Sequence, residues 1–219
     1  MRKILFGVLL LMIFGCGCNN QTSMKEERTE TDVTTVGGYD FVVIIDGNAE
    51  IVESGTPYTD EEIMTALENK MEYIREEFEA GSYLSRNGYY QISYNEENAQ
   101  MELDYYHYYI PVVKDRQMIG ELYIWPYPDG TLYVSPCKYW EGSWGFRLGA
   151  LLEEKKELAM FHWPLSQYAV SRDNEVFTLH GNENPDLLNV DKLYSTLNHG
   201  DNLLTEKIFN EDEYYYRFE

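Results

Sequence analysis

One thiol and two imidazoles of this chain offer a scheme for nucleophilic catalysis. Cys137 could be activated by His162 or His180, because a reactive thiolate needs a nearby base. However, the residues around Cys137 match no known nucleophile turn, and the chain lacks G-x-S-x-G, H-E-x-x-H, C-x-x-C, phosphate-loop and EF-hand patterns. The sequence therefore predicts no catalytic site, no metal site and no cofactor.

The other polar candidates have ordinary structural explanations. His107 alternates with Tyr105 and Tyr109, which predicts a hydrogen-bonded histidine in a sheet rather than a metal ligand. Adjacent carboxylates are typical of a solvated face, whereas the two acids of a glycosidase usually come from separate elements. Three pairs are of this adjacent kind: Glu61 with Glu62, Glu153 with Glu154, and Asp212 with Glu213.

Tyrosine is the most unusual feature of the composition, since the chain has 20 of them. Strand alternation would place Tyr106 and Tyr108 on one face of a sheet, opposite Tyr105, and antiparallel pairing could bring further aromatics beside them. Rigid aromatic rings with polar tips suit sugar rings or a protein partner. The candidate binding residues are Tyr106, Tyr108, Tyr123, Trp125 and Tyr133.

A competing interpretation concerns the same face. Residues 144–161 predict an apolar helix, and such a helix needs a surface to cover. If it packs on the second face of the sheet, the candidate aromatics become core residues. The spare helix makes this covered arrangement the favoured one, and the sequence leaves both open.

The elements that would position these residues begin with a helix over residues 60–80. Thr59 and Glu62 form a capping box at its start, and Gly81 ends it. Four strand-like runs follow at residues 89–94, 100–113, 118–125 and 131–135, separated by turn residues. One helix face over an antiparallel meander is an α+β arrangement. Upstream, residues 39–46 and the segment AEIVE predict a hairpin around Asp46 and Gly47.

Part of the meander resembles a known family of domains. The segment YYIPVVKDRQMIGELYIWPYPDGTLYV, residues 108–134, is similar to the sheet repeat of cystatin-like domains and of some secreted-protease propeptides. The resemblance implies a cystatin-like fold and, as an alternative function, a protease-inhibitor or propeptide-like role.

The remainder of the chain predicts a mixed helical and hairpin part packed on the same domain. After the helix over residues 144–161, strands are expected at residues 167–170 and 176–180. Two short helices are expected over residues 186–197 and 203–209. The last residues, EDEYYYRFE, predict an edge strand or a frayed end.

The N-terminus predicts export. Arg2 and Lys3 precede an apolar run over residues 4–14, which is too short to span a membrane because a spanning helix needs roughly 20 residues. The run ends in I-F-G-C at Cys16, which resembles the lipobox of bacterial lipoproteins, and Cys18 follows a second, poorer match. The resemblance implies removal of residues 1–15 and acylation of Cys16.

The parts expected are a signal peptide at residues 1–15, a lipidated polar tether at residues 16–38, a sheet domain at residues 39–140, and the C-terminal part at residues 141–219. Cys137 could pair with Cys18, but a small buried apolar residue is the favoured interpretation of Cys137.

Charge narrows the choice of partners. The formal net charge is −21, and loss of residues 1–15 would make it −23, so nucleic acid is a poor partner and membrane attachment must come from the lipid. We expect a membrane-anchored extracytoplasmic lipoprotein that acts as a non-enzymatic binding module for an envelope glycan or a protein. A cell-envelope hydrolase is the less favoured alternative.

Overall fold

The computed structural model describes residues 34–36, 39–41, 51–95, 100–141, 143–163, 166–180 and 193–219, and these residues belong to one compact unit. The fold is α+β, with a few helices and a large, mostly antiparallel sheet of 11 strands. Its strands are β3 (Ile51–Ser54), β4 (Tyr83–Ser85), β5 (Tyr89–Asn95), β6 (Gln100–Lys114), β7 (Gln117–Pro126), β8 (Leu132–Lys138), β9 (Glu157–Trp163), β10 (Ser166–Ser171), β11 (Val176–His180), β12 (Leu203–Thr205) and β13 (Tyr214–Arg217).

The first helix, α1 (Asp60–Glu77), begins as the sequence predicts. The Thr59 hydroxyl accepts the Glu62 N–H at 3.2 Å, and the Glu62 carboxylate accepts the Thr59 N–H at 2.8 Å, which confirms the capping box. These bonds hold the pKa of Glu62 below its usual value. The apolar stripe of α1 packs on the sheet through Ile63, Ala66, Leu67 and Ile74.

The long strand β6 has 15 residues and organises the sheet because four of the described strands pair with it. Its first half pairs with β3 in parallel and with β5 in antiparallel, and its second half pairs with β4 and β7. The predicted meander β5–β6–β7–β8 is confirmed. Asp115 and Arg116 form the turn between β6 and β7 and both have positive φ, as a two-residue hairpin turn of type I′ requires.

The prediction for residues 144–161 is half correct. Helix α2 spans Trp144–Lys155, and Lys156 ends it by adopting a left-handed conformation while its N–H bonds to the Leu152 carbonyl. The chain then forms β9, which pairs with β10 and β12 and, in parallel, with β5. The residues of β9 alternate between the two faces of the sheet, so a strand buries them better than a longer helix would.

In the rest of the C-terminal part, most elements are of the predicted type, but several differ from the predictions in length. Strands β10 and β11 pair as an antiparallel hairpin, as predicted. Helix α3 covers Leu193–Leu197, and residues 186–192 of the expected helix lie outside the described residues. Leu203–Thr205 is a strand and Glu206–Phe209 a 3-10 helix, where one short helix was predicted. Strand β13 pairs with β4, which confirms the predicted edge strand.

The predicted N-terminal hairpin is not seen among the described residues. There, β2 (Tyr39–Phe41) pairs with β1 (Thr34–Val36), which lies at the end of the predicted tether, while β3 pairs in parallel with β6. Residues 42–50, which contain the expected turn, lie outside the described residues. So do residues 1–33, including Cys16 and Cys18.

Each face of the sheet has its own core. The first face packs against α1 and α3, and its buried residues include Leu67, Ile74, Leu103, Ile110, Ile124, Phe161 and Leu197. The second face packs against α2 and the 3-10 helix, and its buried residues include Val113, Met118, Leu148, Leu152, Met160, Ala169 and Ile208.

Candidate binding surface

A row of neighbouring aromatic rings, here called the aromatic ladder, lies on the second face. Ring centroids are 5.1 Å apart for Tyr89 and Tyr109 and again for Tyr109 and Tyr123, 4.6 Å for Tyr123 and Trp125, and 4.3 Å for Trp125 and Tyr133. The ladder consists of Tyr89, Tyr109, Tyr123, Trp125, Tyr133 and Tyr127.

Strand register produces this row. Tyr109 lies opposite Tyr123 in the β6–β7 pair, and Trp125 lies opposite Tyr133 in the β7–β8 pair. Neighbouring strands are about 4.8 Å apart, so side chains that stand on the same face of directly paired residues come within stacking distance. The ladder is therefore built by the meander, which the sequence predicts.

Helix α2 leaves part of this face open. It packs near Met118, Leu158 and Met160, whereas Tyr109, Tyr123, Trp125 and Tyr133 remain half-buried. At one end of the ladder Tyr89 is fully buried, and at the other Tyr127 is 45% exposed. The two interpretations of the sequence are thus each right for a part of the face.

The structure brings together Tyr123, Trp125 and Tyr133 from the predicted set, but it separates Tyr106 and Tyr108 from them. The predicted alternation was wrong here because β6 bulges: Asp104 lies opposite Gln91 and Tyr109 opposite Tyr89, so four β6 residues face the single β5 residue Tyr90.

The bulge changes which side chains reach each face. Tyr108 is buried in the core of the first face, where its ring centroid is 4.8 Å from that of Tyr90. Tyr106 is 51% exposed and has no ring contact with the ladder. Tyr109 and His107 take their places beside Tyr123, and neither was predicted because nothing in the sequence marks the bulge.

A carboxylate and an imidazole lie at one side of the ladder. The His107 ring stacks on Tyr123 with centroids 5.4 Å apart, and its Nδ1 bonds to Asp104 Oδ2. Asp104 Oδ1 accepts the N–H of Tyr106 at 2.8 Å. Burial raises the pKa of Asp104, but the bonds from His107 and Tyr106 outweigh it and keep that pKa below its usual value. Asp104 therefore stays ionised and orients His107, which confirms the expected hydrogen-bonded sheet histidine.

A second carboxyl group is buried beside the ladder. The Tyr89 hydroxyl donates to Glu121 Oε2 at 3.1 Å, and Glu121 is only 5% exposed. Burial raises the pKa of Glu121 to about 7, although hydrogen bonds from Tyr139 and Tyr89 lower it. Glu121 lies where the half of the face under α2 meets the aromatic half.

The proposed thiol–imidazole pair is not assembled. Cys137 is on β8 and His162 on β9, with β7, β6 and β5 between them. Four strand spacings amount to about 19 Å along the sheet, and β11, which carries His180, is two strands further away. Burial and the nearby Glu121 charge raise the pKa of Cys137, which disfavours a thiolate.

Cys137 is exposed rather than buried, so the favoured interpretation of this residue was wrong. It lies on β8, which pairs only with β7 among the described strands. Within the described part of the chain, no group of three or more potential ligands could hold a metal ion, and no helix is long and apolar enough to cross a membrane.

Comparison with known proteins found no relative: no family model, no curated protein and no solved structure matches this chain. Its function is therefore inferred from the geometry of the aromatic ladder and the chemistry of the residues beside it.

Proposed function

We propose that this chain is a membrane-anchored extracytoplasmic lipoprotein whose folded part is a non-enzymatic binding module, and that the aromatic ladder is its binding surface. The observation that carries the proposal is the half-buried row Tyr109, Tyr123, Trp125 and Tyr133, which shares a face with a fully packed core. Aromatic residues that pack well and yet remain accessible are typical of interface anchors.

Mutual packing suits the ladder to binding. Each ring is held by its neighbours, with Trp125 between Tyr123 and Tyr133 at 4.6 and 4.3 Å. Side chains that are already ordered lose little rotamer entropy when a ligand arrives. Tyrosine and tryptophan also combine a large apolar body with a polar tip, so the same surface can be wetted when free and desolvated when bound.

The acids on this face support binding more than catalysis. Asp104 is ionised but engaged by His107 and by a backbone N–H, and Glu121 is buried against two phenols. Neither carboxyl group is presented with a free oxygen to the open part of the ladder. This arrangement positions other side chains instead of offering an acid and a base to one substrate atom.

We also propose that α1 and the strands β5–β8 form a cystatin-like unit. What supports this is the packing of the α1 stripe across an antiparallel meander, where Leu67 and Ile74 share a core with Leu122 and Val134. In such a unit the ladder lies on the sheet face opposite the helix.

The anchor is tested at Cys16. We expect Cys16→Ser to abolish acylation and membrane retention, because the thiol is the acceptor for the lipid. Metabolic labelling with a palmitate analogue, followed by membrane fractionation, measures both. Label retained by Cys16→Ser and lost in Cys18→Ser would move the lipid to Cys18, and an unaltered chain without label would overturn the lipoprotein proposal.

The binding surface is tested on the full chain, solubilised in a detergent without sugar headgroups. Sedimentation with washed envelopes of the producing cell should retain the unaltered chain, and Trp125→Ala should weaken retention by roughly 5- to 100-fold. Tyr106→Ala is the matched control, since Tyr106 is an exposed aromatic outside the ladder. Equal retention of all three chains would remove the ladder as the binding surface.

A further inference from the structure

The angle between neighbouring ring planes changes along the ladder. Tyr89 and Tyr109 are nearly parallel, with 13° between their planes, and Tyr109 and Tyr123 differ by 29°. Parallel rings this close cover each other's faces, and Tyr89 is fully buried with its hydroxyl bonded to Glu121. The hydroxyl groups of Tyr109 and Tyr123 bond to each other. This part of the ladder is therefore a rigid support for the open end and not the place where a ligand binds.

The other end opens into a corner. The planes of Trp125 and Tyr133 are 49° apart, and those of Tyr133 and Tyr127 are 74° apart. Tyr127 is 45% exposed, and Lys70 Nζ lies over the Tyr133 ring, 5.5 Å from its centre. The C–H groups on one side of a pyranose ring pack well on an accessible aromatic face. The corner formed by Trp125, Tyr133 and Tyr127 is thus the place for an apolar contact.

His107 adds a group that recognises hydroxyls. Its Nδ1 is hydrogen-bonded to Asp104, whereas its Nε2 makes no hydrogen bond to the described residues. Its side chain is 43% exposed. With Nδ1 fixed, Nε2 accepts a hydrogen bond when the ring is neutral and donates one when it is protonated. A hydroxyl group can form a hydrogen bond with Nε2 in both states, because it can both donate and accept.

The charges near the ladder disfavour one class of polymer. Asp104 and Glu102 lie on the adjoining stretch of β6, and the whole chain carries a formal net charge of −21, while Lys70 places its Nζ 5.5 Å from the centre of the Tyr133 ring. A polymer of uronic acids or phosphates would meet repulsion that Lys70 offsets only in part, whereas a neutral or amino-bearing chain would not meet it.

We propose that the ligand of the ladder is an unbranched glycan of neutral or amino-bearing pyranose units, which packs one ring in the corner at Trp125 and Tyr133 and hydrogen-bonds to His107. This inference rests on the proposed function, because it names the ligand class of the same surface. Tyr127 and His107 support it, since 45% of Tyr127 and 43% of the His107 side chain are exposed where such a chain would make contact.

The test uses the full chain in the same detergent and three defined probes. They are a neutral cello-oligosaccharide, an amino-bearing chitosan oligosaccharide and an anionic oligogalacturonate, each titrated by calorimetry. We expect the first two to bind and the third to bind at least tenfold more weakly. Trp125→Ala should weaken binding roughly 5- to 100-fold, His107→Ala roughly 3- to 10-fold, and Tyr106→Ala should leave it unchanged.

The outcomes separate this inference from the proposed function. If none of the probes binds, or if the anionic one binds best, the glycan inference is overturned. The binding module still stands in that case if envelope retention depends on Trp125, and a protein partner becomes its ligand. If envelope retention does not depend on Trp125, the proposed function fails first. Thermal unfolding of each variant shows whether a lost signal reflects a lost fold.

Discussion

The second face of the sheet carries two different surfaces on the same pair of strands. Near the turn at Asp115 and Arg116, β6 and β7 present Val113 and Met118, which are completely buried under α2. At the far end of β7, Trp125 is only half-buried. Aliphatic side chains have no polar group to leave in water and need a cover, whereas tyrosine and tryptophan can pack against one another and keep a polar tip in solvent.

The covered half and the aromatic half of this face meet at a buried carboxyl group. Glu121 lies between Tyr89, which belongs to the ladder, and Tyr139, which packs with the core under α2. A carboxyl group here must be desolvated, and the two phenols supply only part of the lost hydration. Glu121 therefore marks the boundary between the covered half and the aromatic half of this face.

The covered half should be the more sensitive to truncation. Leu152 is completely buried between α2 and the sheet, so Leu152→Ala should lower the free energy of unfolding by about 2 to 5 kcal/mol through lost burial and a cavity. Leu151, half-buried on the same helix, is the matched control and should cost clearly less. Urea denaturation measures both. A loss below about 1 kcal/mol for Leu152→Ala would mean that α2 does not pack as described.

The Glu121 carboxyl group, which lies at the boundary between the two halves, should make the stability of the fold depend on pH. The folded chain holds the Glu121 proton up to about pH 7, whereas the unfolded chain releases it near the usual value of 4.5. The folded state binds more protons between these values, so this group makes stability fall as pH rises from about 4.5 to about 7, by on the order of 3 kcal/mol. Glu121→Gln should remove that fall, because a neutral amide needs no proton.

Denaturation of both chains at pH 5 and pH 8 is the measurement. The difference between the two chains isolates Glu121 from the other carboxyl groups, which titrate in both. The variant should be the more stable chain at pH 8. Identical pH dependence in the two chains would show that Glu121 is hydrated in the folded protein and that the two halves have no dry boundary.

The open half should tolerate truncation better than the covered one. Trp125→Ala removes ring contacts with Tyr123 and Tyr133 but empties no enclosed site, so we expect a loss of about 1 to 2 kcal/mol. Chemical denaturation decides this without knowledge of the ligand. A loss of about 3 to 5 kcal/mol is what a packed core aromatic costs, and it would make the ladder part of the core.

Local signals account for what the sequence predicted correctly. The capping box at Thr59 and the stripe of α1 depend on residues three and four positions apart, and the turn around Asp115 depends on adjacent ones. The shared face of Tyr123, Trp125 and Tyr133 was also predictable, because β7 and β8 pair without a register shift and simple strand alternation holds there. Such features need no knowledge of the rest of the fold.

The errors come from interactions that the local sequence does not contain. The bulge in β6 follows from how β5 pairs with it, and it moves Tyr108 into the core and His107 and Tyr109 to the ladder. The end of α2 at Lys156 allows the next residues to pair with β5, a strand more than 60 residues earlier in the chain. Long-range pairing decided both positions against local periodicity.

The smallest expected effect separates two residues that the sequence treated alike. Tyr106 and Trp125 were both candidate binding residues, but the Tyr106 ring is 51% exposed and lies outside the ladder. Two hydrogen bonds hold this segment through the Tyr106 backbone: its N–H donates to Asp104, and its carbonyl accepts the Tyr58 hydroxyl at 2.8 Å.

Tyr106→Ala keeps both bonds because it alters only the side chain. We therefore expect the free energy of unfolding to change by no more than about 0.5 kcal/mol, as for other exposed positions, and envelope retention to stay the same. Parallel denaturation and sedimentation of Tyr106→Ala and Trp125→Ala measure the contrast. If Tyr106→Ala weakened retention as strongly as Trp125→Ala, the binding surface would extend across the bulge, and the ladder alone would not define it.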